Sequence, residues 1–128
     1  MAPGKIQICK SVLIIEDDDD IRETLQQLLE LEGYSVRSAA NGRQGLDLLP
    51  QMGTPCLILL DLMMPVMDGW EFLKVKSGNV RIAPIPVVVV SALDNAGQIK
   101  DVRGYIKKPI EYNSLMRVVS EYCGIAPS

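Results

Sequence analysis

Residues Cys56–Asp61 read CLILLD, five apolar side chains without a polar break that end on a carboxylate. A run that is apolar at every position suits a strand covered on both faces, so it predicts a central strand of a parallel sheet. Working outward, Val12–Ile15 (VLII) and Val87–Val90 (VVVV) share that character, and Tyr34–Ala39 and Gly104–Lys107 supply two weaker strands. Between them the period changes. Ile21, Leu25, Leu28 and Leu29 recur at i, i+4, i+7 and i+8, one helix face closed by Gly33. Leu115, Val118, Val119 and Tyr122 form a second such face ahead of Gly124. Shorter helical stretches fit Arg43–Leu49 and Gly69–Lys76, while Ser77–Pro86 reads as a loop. Strands alternating with helices predict an open, doubly wound parallel α/β sheet with helices on both faces. In such sheets the functional crevice lies outside the carboxyl ends of the strands.

Composition narrows the chemistry. The 128 residues carry a formal charge of −3 and no histidine, which removes Ser-His-Asp and Cys-His nucleophile pairs and zinc sites with histidine ligands. A length of 128 fits one domain, read here as a leader over 1–10, a domain over 11–124 and a short tail over 125–128. Lys107-Lys108 is the only adjacent basic pair, so no basic stripe points to direct nucleic-acid contact. No apolar run approaches membrane-spanning length. Cys9, Cys56 and Cys123, odd in number and widely spaced, read as reduced thiols of a cytoplasmic protein, with Cys56 a small buried hydrophobe.

At the predicted carboxyl ends stand Glu16-Asp17-Asp18-Asp19-Asp20 after the first strand and Asp61 after the third. Ser91 follows the fourth and Lys108-Pro109 the fifth. If the first and third strands are neighbours, Asp17 and Asp61 converge across 44 positions of sequence. Crowded carboxylates need a cation, and hard oxygen ligands suit Mg²⁺, with Mn²⁺ able to take its place. A carboxylate nucleophile, a divalent cation, a lysine and a hydroxyl form a set suited to phosphoryl transfer. Asp61 would attack phosphorus, the metal and Lys108 would hold two phosphoryl oxygens, and Ser91 would donate to the third. No Gly-rich phosphate loop is present, which disfavours a nucleotide donor. Asp18 or Asp19 reads as the cap of the first helix, and Asp68-Gly69 as turn and helix-start chemistry. Phe72 and Leu73 read as core, and Trp70 as an exposed partner contact.

Four segments, VLIIEDDDDIR (Val12–Arg22), LILLDLMMPVMDGWEFL (Leu57–Leu73), VVVVSA (Val87–Ala92) and GYIKKPI (Gly104–Ile110), occur in the order of a bacterial response-regulator receiver domain. The chain resembles that family from about Ser11 to Cys123. The resemblance implies a flavodoxin-like five-stranded sheet of order 2-1-3-4-5. It implies Glu16, Asp17, Asp61 and the backbone carbonyl of Met63 as metal ligands, and Asp61 as phosphoacceptor. Lys108 and Ser91 would be the assisting groups, Ser91 and Tyr105 the switch residues, and the Lys108–Pro109 peptide cis. Implied partners are a sensor histidine kinase or histidine phosphotransfer protein and a downstream protein target, with the chain a monomer or weak dimer.

The sequence departs from the family between Ser91 and Lys108, only seventeen positions apart. The shortage falls on Ala92–Arg103, where Gly97 interrupts and only Ile99 and Val102 are apolar anchors. The expectation there is a shortened fourth helix of one or two turns, or a loop. Apolar Met63 and Leu93 beside the site would hinder attacking water and lengthen the life of a phosphoryl group. Two alternatives stand beside the phosphoacceptor reading. A Mg²⁺-dependent phosphatase forming an aspartyl phosphate would want an acid two positions after Asp61, where Met63 stands. A docking module that is never phosphorylated would not need the complete acidic, serine and lysine set.

Overall fold

The computed structural model describes residues 9–94 and 99–124 of the chain. In order the elements are β1 (Ser11–Ile15), α1 (Asp19–Leu31), β2 (Ser35–Ala39), α2 (Gly42–Met52), β3 (Leu57–Leu60), α3 (Gly69–Ser77), β4 (Val87–Ser91), β5 (Gly104–Lys107) and α4 (Tyr112–Tyr122). All four strand pairings are parallel and the order is β2-β1-β3-β4-β5, as expected. The register sets Ile15 opposite Leu60, so β1 and β3 end level and release Glu16 and Asp61 side by side.

Alternation along the strands builds two cores. Val12, Ile14, Leu57, Leu59, Val88 and Val90 face α1 and α4, meeting Leu25, Leu29, Leu115 and Val119. Leu13, Ile15, Ile58, Leu60 and Val87 face α2 and α3, meeting Leu49, Phe72 and Leu73. Truncating one such side chain to alanine costs about 2–5 kcal/mol. A one-residue slip of either central strand would exchange the two faces, so packing fixes the register that places the site.

Local chemistry sets the helix starts. Asp18 caps α1, accepting from the amides of Asp20 (2.9 Å) and Ile21 (3.1 Å). Gly33, at φ +95°, turns the chain out of the same helix. Asp68 and Glu71 form a reciprocal capping box on α3. Phe72 and Leu73 are buried and Trp70 is partly exposed, in line with the sequence.

Two features differ from the sequence reading, and a third bears on an alternative it left open. α2 does not stop at Leu49 but runs through Pro50 to Met52. Only two helical residues follow that proline, and the missing amide interrupts a single bond in the last turn. Cys56 is half-buried rather than sealed in the core, and its sulfur lies 2.7 Å from that of Cys123. Between β4 and β5 the described residues, 92–94 and 99–103, contain no helix. Residues 95–98, on which part of the expected short helix falls, lie outside the described set. The two apolar anchors pack instead on the sheet, where Ile99 and Val102 cover Leu62 and Val89. No helix among the described residues is long and apolar enough to cross a membrane.

Candidate functional site

Two strand ends carry the acids. Glu16 follows β1, donating its amide to Ala39 O (3.0 Å), and Asp61 follows β3, donating to Ile15 O (2.9 Å). Both side chains are buried, at 2% and 5% exposure. Asp17 is exposed beside them, and one carboxylate oxygen from each of Glu16, Asp17 and Asp61 lies within 4.8 Å of the others. Arg22 braces the turn, donating to Glu16 O (2.9 Å) and pairing with Asp19 (2.5 Å).

Lys108 enters from the end of β5. Its amide donates to Ser91 O (2.9 Å), and the peptide that joins it to Pro109 is cis, as expected. Its Nζ stands 2.7 Å from Glu16 Oε1 and 3.7 Å from Asp61 Oδ1. The nearer contact is close enough for an ion pair but off the direction of a hydrogen bond, so Glu16 Oε1 is buried with no hydrogen-bond donor. One lysine thus faces three carboxylates, and a lone pair of the most buried acid is left for something else. A small, hard cation fits that vacancy in the bonding, because it needs oxygen ligands and tolerates a mixed protein and water shell.

Ionisation equilibria report the same crowding. Burial first, then the negative charge of Glu16, pushes the Asp61 carboxyl from its ordinary 3.8 up to about 7, with Lys108 opposing. Burial alone would lower the Lys108 ammonium, but Glu16, Asp61 and Asp17 outweigh it and hold the lysine above its usual value. Lys108 is therefore a permanent cation, while Asp61 becomes fully anionic at neutral pH only when more positive charge arrives.

A cleft of about 330 Å³ opens over these groups, with Asp17, Asp61, Met63, Ser91, Leu93 and Lys108 among its walls. Ser91 is buried at the end of β4, its Oγ accepting from Leu93 N (3.1 Å). Tyr105, half-buried on β5, donates its hydroxyl to Leu93 O, with Ser91 O a second acceptor at 3.3 Å. Lys107 pairs with Asp94 on the same connection. Met63, two positions after Asp61, is 61% exposed and offers no acidic group to the cleft.

Sequence reasoning missed how tightly the segment after Asp61 is held. Gly69 donates to Leu62 O (2.9 Å), and a Cβ on it would lie 2.7 Å from Asp61 O and 2.8 Å from Leu62 Cα. The Asp68-Gly69 pair signals a helix start, as read, but not this backbone contact beneath the acid. Val66 sits at φ +68° at the centre of a three-residue turn closed by Met67 N to Pro65 O (2.7 Å). That region strains a β-branched residue. Met67 O in turn accepts from Gly42 N (2.9 Å), docking the loop on the start of α2. Lys76 was also unforeseen. It is 4% exposed, donates to Ala83 O (2.7 Å), and burial lowers its ammonium.

Comparison with known proteins agrees with this geometry. A family model described as the response regulator receiver domain matches residues 12–120. The polar-differentiation response regulator DivK of Brucella anthropi is 32% identical over 122 residues, covering 91% of this chain and 98% of its own. The DNA-binding dual master transcriptional regulator RpaA of Synechocystis is 36% identical over 113 residues, which are 82% of this chain but 45% of that protein. The solved structure of the chemotaxis response regulator CheY4 of Vibrio cholerae superposes with a TM-score of 0.78 at 25% identity, covering 89% of this chain and 98% of its own. By that family match and these relatives, the chain belongs to the response regulator receiver domain family of two-component signalling.

Proposed function

We propose that the protein is a phosphoacceptor switch, phosphorylated on Asp61 by a partner phosphohistidine in a Mg²⁺-dependent reaction. The observation that carries this reading is the convergence of a buried Asp61 with Glu16, Asp17 and Lys108 at one cleft. Glu16, Asp17, Asp61 and the carbonyl of Met63 would hold Mg²⁺ or Mn²⁺. The bound ion would neutralise charge on the transferring group and favour ionised Asp61. An Asp61 oxygen attacks phosphorus, the phosphorus–nitrogen bond of the donor breaks, and the imidazole leaves with the bonding pair and takes up a proton. Lys108 pairs with one phosphoryl oxygen, and Ser91 donates its hydroxyl hydrogen to another.

The donor is a sensor histidine kinase or a histidine phosphotransfer protein, since this chain has no histidine of its own. A groove of about 330 Å³ beside the site, lined by Ile21, Thr24, Leu25 and Leu28 of α1 and by Pro109 and Ile110, suits a helical partner. Phosphorylation adds about −1.5 to −2 charge at Asp61, and the segment of Ser91, Leu93 and Tyr105 answers it. Such a donor places the chain in the cytoplasm, acting through a downstream protein rather than directly on nucleic acid or membrane. Met63 and Leu93, 61% and 38% exposed at the cleft, lengthen the life of the phosphoryl group by shielding it from water.

Incubation with Mg²⁺ and a small acyl phosphate tests the assignment by intact mass. The expected result is one added phosphoryl group on the natural protein, none on Asp61→Asn and none with a chelator. No added group on the natural protein, or an equal amount on Asp61→Asn, would overturn it.

A further inference from the structure

The chain has three cysteines, at positions 9, 56 and 123, and the fold brings all of them to one place. Cys9 leads into β1, Cys56 into the neighbouring strand β3, and Cys123 closes α4 on the same face of the sheet. Backbone bonds hold each of them. Cys56 N donates to Ser11 O (2.8 Å), Gly124 N to Cys9 O (2.8 Å), and Cys123 N to Val119 O (2.8 Å). The Cys56 thiol bonds to Ser11 O (3.0 Å) and its sulfur is 2.7 Å from that of Cys123, across 67 positions of sequence. A disulfide bond is about 2.05 Å long. The two sulfurs therefore stand well inside van der Waals separation, and a bond between them needs less than an ångström of further approach.

The cluster lies at the amino end of the sheet. Four residues of β3 separate Cys56 from Asp61, about 16 Å at the rise of a strand, so the thiols play no part in the phosphoacceptor chemistry. Nor are they gathered as a metal cage. Among the described residues the only group of three or more candidate ligands within mutual reach is Glu16, Asp17 and Asp61. Paired sulfurs that the core holds together, one of them half-buried and one buried, suit oxidation to a bond between the two.

We propose that Cys56 and Cys123 are a modification site, oxidised by a small peroxide to an intramolecular disulfide that leaves Cys9 free. Cys56, the more accessible of the pair, attacks one peroxide oxygen. The oxygen–oxygen bond breaks, a sulfenic acid forms on Cys56, and the departing hydroxide takes the thiol proton as water. The Cys123 sulfur then attacks the Cys56 sulfur, the sulfur–oxygen bond breaks, and the second water leaves with the Cys123 proton. Two thiols give up two electrons and two protons, and the peroxide becomes two waters. The hydrogen bond to Cys123, together with burial, pushes the Cys56 thiol up, so thiolate is scarce at neutral pH and the pair reacts with a surge of peroxide rather than a trace.

The disulfide would tie the end of α4 to the start of β3 and close a long loop in the unfolded chain. Loop-closure entropy at that length, with the melting behaviour of a domain this size, corresponds to a rise in melting temperature of about 15 °C. The test treats the reduced, full-length protein with hydrogen peroxide, alkylates the remaining thiols and maps the peptides by mass spectrometry. The expected map joins the Cys56 and Cys123 peptides, with Cys9 alkylated. Melting should rise by about that amount and return on reduction. Cys9→Ser should keep both results, and Cys56→Ser should lose both. Three alkylated thiols, sulfinic or sulfonic acid at Cys56 or Cys123, or a bond that includes Cys9 would each overturn the assignment. The map on the natural protein decides the matter even if a variant folds poorly.

Discussion

Asp61→Asn replaces a buried carboxylate by a neutral amide of the same shape, and urea unfolding in the presence of a chelator measures what that charge costs the fold. The native carboxyl ionises at about 7, against an ordinary value of 3.8, because it is buried beside Glu16. Between those two pH values the native state keeps a proton that the unfolded chain has lost. The natural protein must therefore become less stable as pH rises through that window, and the loss is complete once Asp61 ionises in the native state. Three decades in the ionisation constant correspond to about 4 kcal/mol. The asparagine variant lacks this titration. Its advantage should be close to zero below pH 4, about 2 kcal/mol near pH 5.5, and level off at about 4 kcal/mol above pH 7. Adding Mg²⁺ at pH 8 should narrow the gap, since on the proposed reading the ion supplies the missing positive charge to the natural protein. An advantage that does not change with pH, or a variant less stable than the natural protein at pH 8, would refute the reasoning.

Lys108→Ala removes the cation that faces the buried Glu16 and Asp61, and should cost about 3 kcal/mol at pH 8 in chelator by urea unfolding. The same variant should bind Mg²⁺ more tightly by calorimetric titration, because the ion then meets uncompensated carboxylates. Val66→Asn relieves a left-handed β-branched residue and should raise stability by about 1 kcal/mol in the same unfolding assay. Gly69→Ala forces a Cβ to within 2.7 Å of Asp61 O and should lower stability by about 2 kcal/mol. Because the displaced backbone carries Asp61, that variant should also slow acyl-phosphate labelling followed by mass.

What could be read from the sequence was whatever depends on periodicity and on strand ends. Continuous apolar runs identified β1, β3 and β4, and the polar residue that stops each run was already Glu16, Asp61 or Ser91. Their convergence needed only that β1 and β3 be neighbours, which the alternation of strands and helices supports. The contacts that depend on distance between segments were not legible. Gly69 looks like any glycine after an aspartate, and nothing local shows that Leu62 passes 2.8 Å from where its Cβ would be. Lys76 lies on the third helix, and nothing local shows that Ala83 O folds back over it. The three cysteines appear scattered because spacing along the chain hides that all of them fall at one end of the sheet. The second helix runs past Leu49 because a proline near the last turn interrupts too little to stop it there.

The short connection after β4 bears on how a phosphoryl group at Asp61 could be felt elsewhere. Its described residues form no helix: Ile99 and Val102 pack on Leu62 and Val89, and polar ties to β5 hold the part beside the cleft, Tyr105 to Leu93 O and Lys107 to Asp94. The second tie is exposed and worth little in water, which leaves the tyrosine hydroxyl as the stronger of the two polar ties. Ser91 Oγ already accepts from Leu93 N, and its own hydrogen remains to be donated. On the proposed reading, a phosphoryl oxygen that takes this hydrogen draws Ser91 toward Asp61 without breaking the bond to Leu93. Leu93 then moves with the serine, and the carbonyl that holds Tyr105 moves with it. A longer connection with a packed helix would resist such a shift through many apolar contacts. Among the described residues the apolar resistance comes from Ile99 and Val102 alone, so on the proposed reading a charge on Asp61 would reach Leu93 and Tyr105 through a chain of three residues.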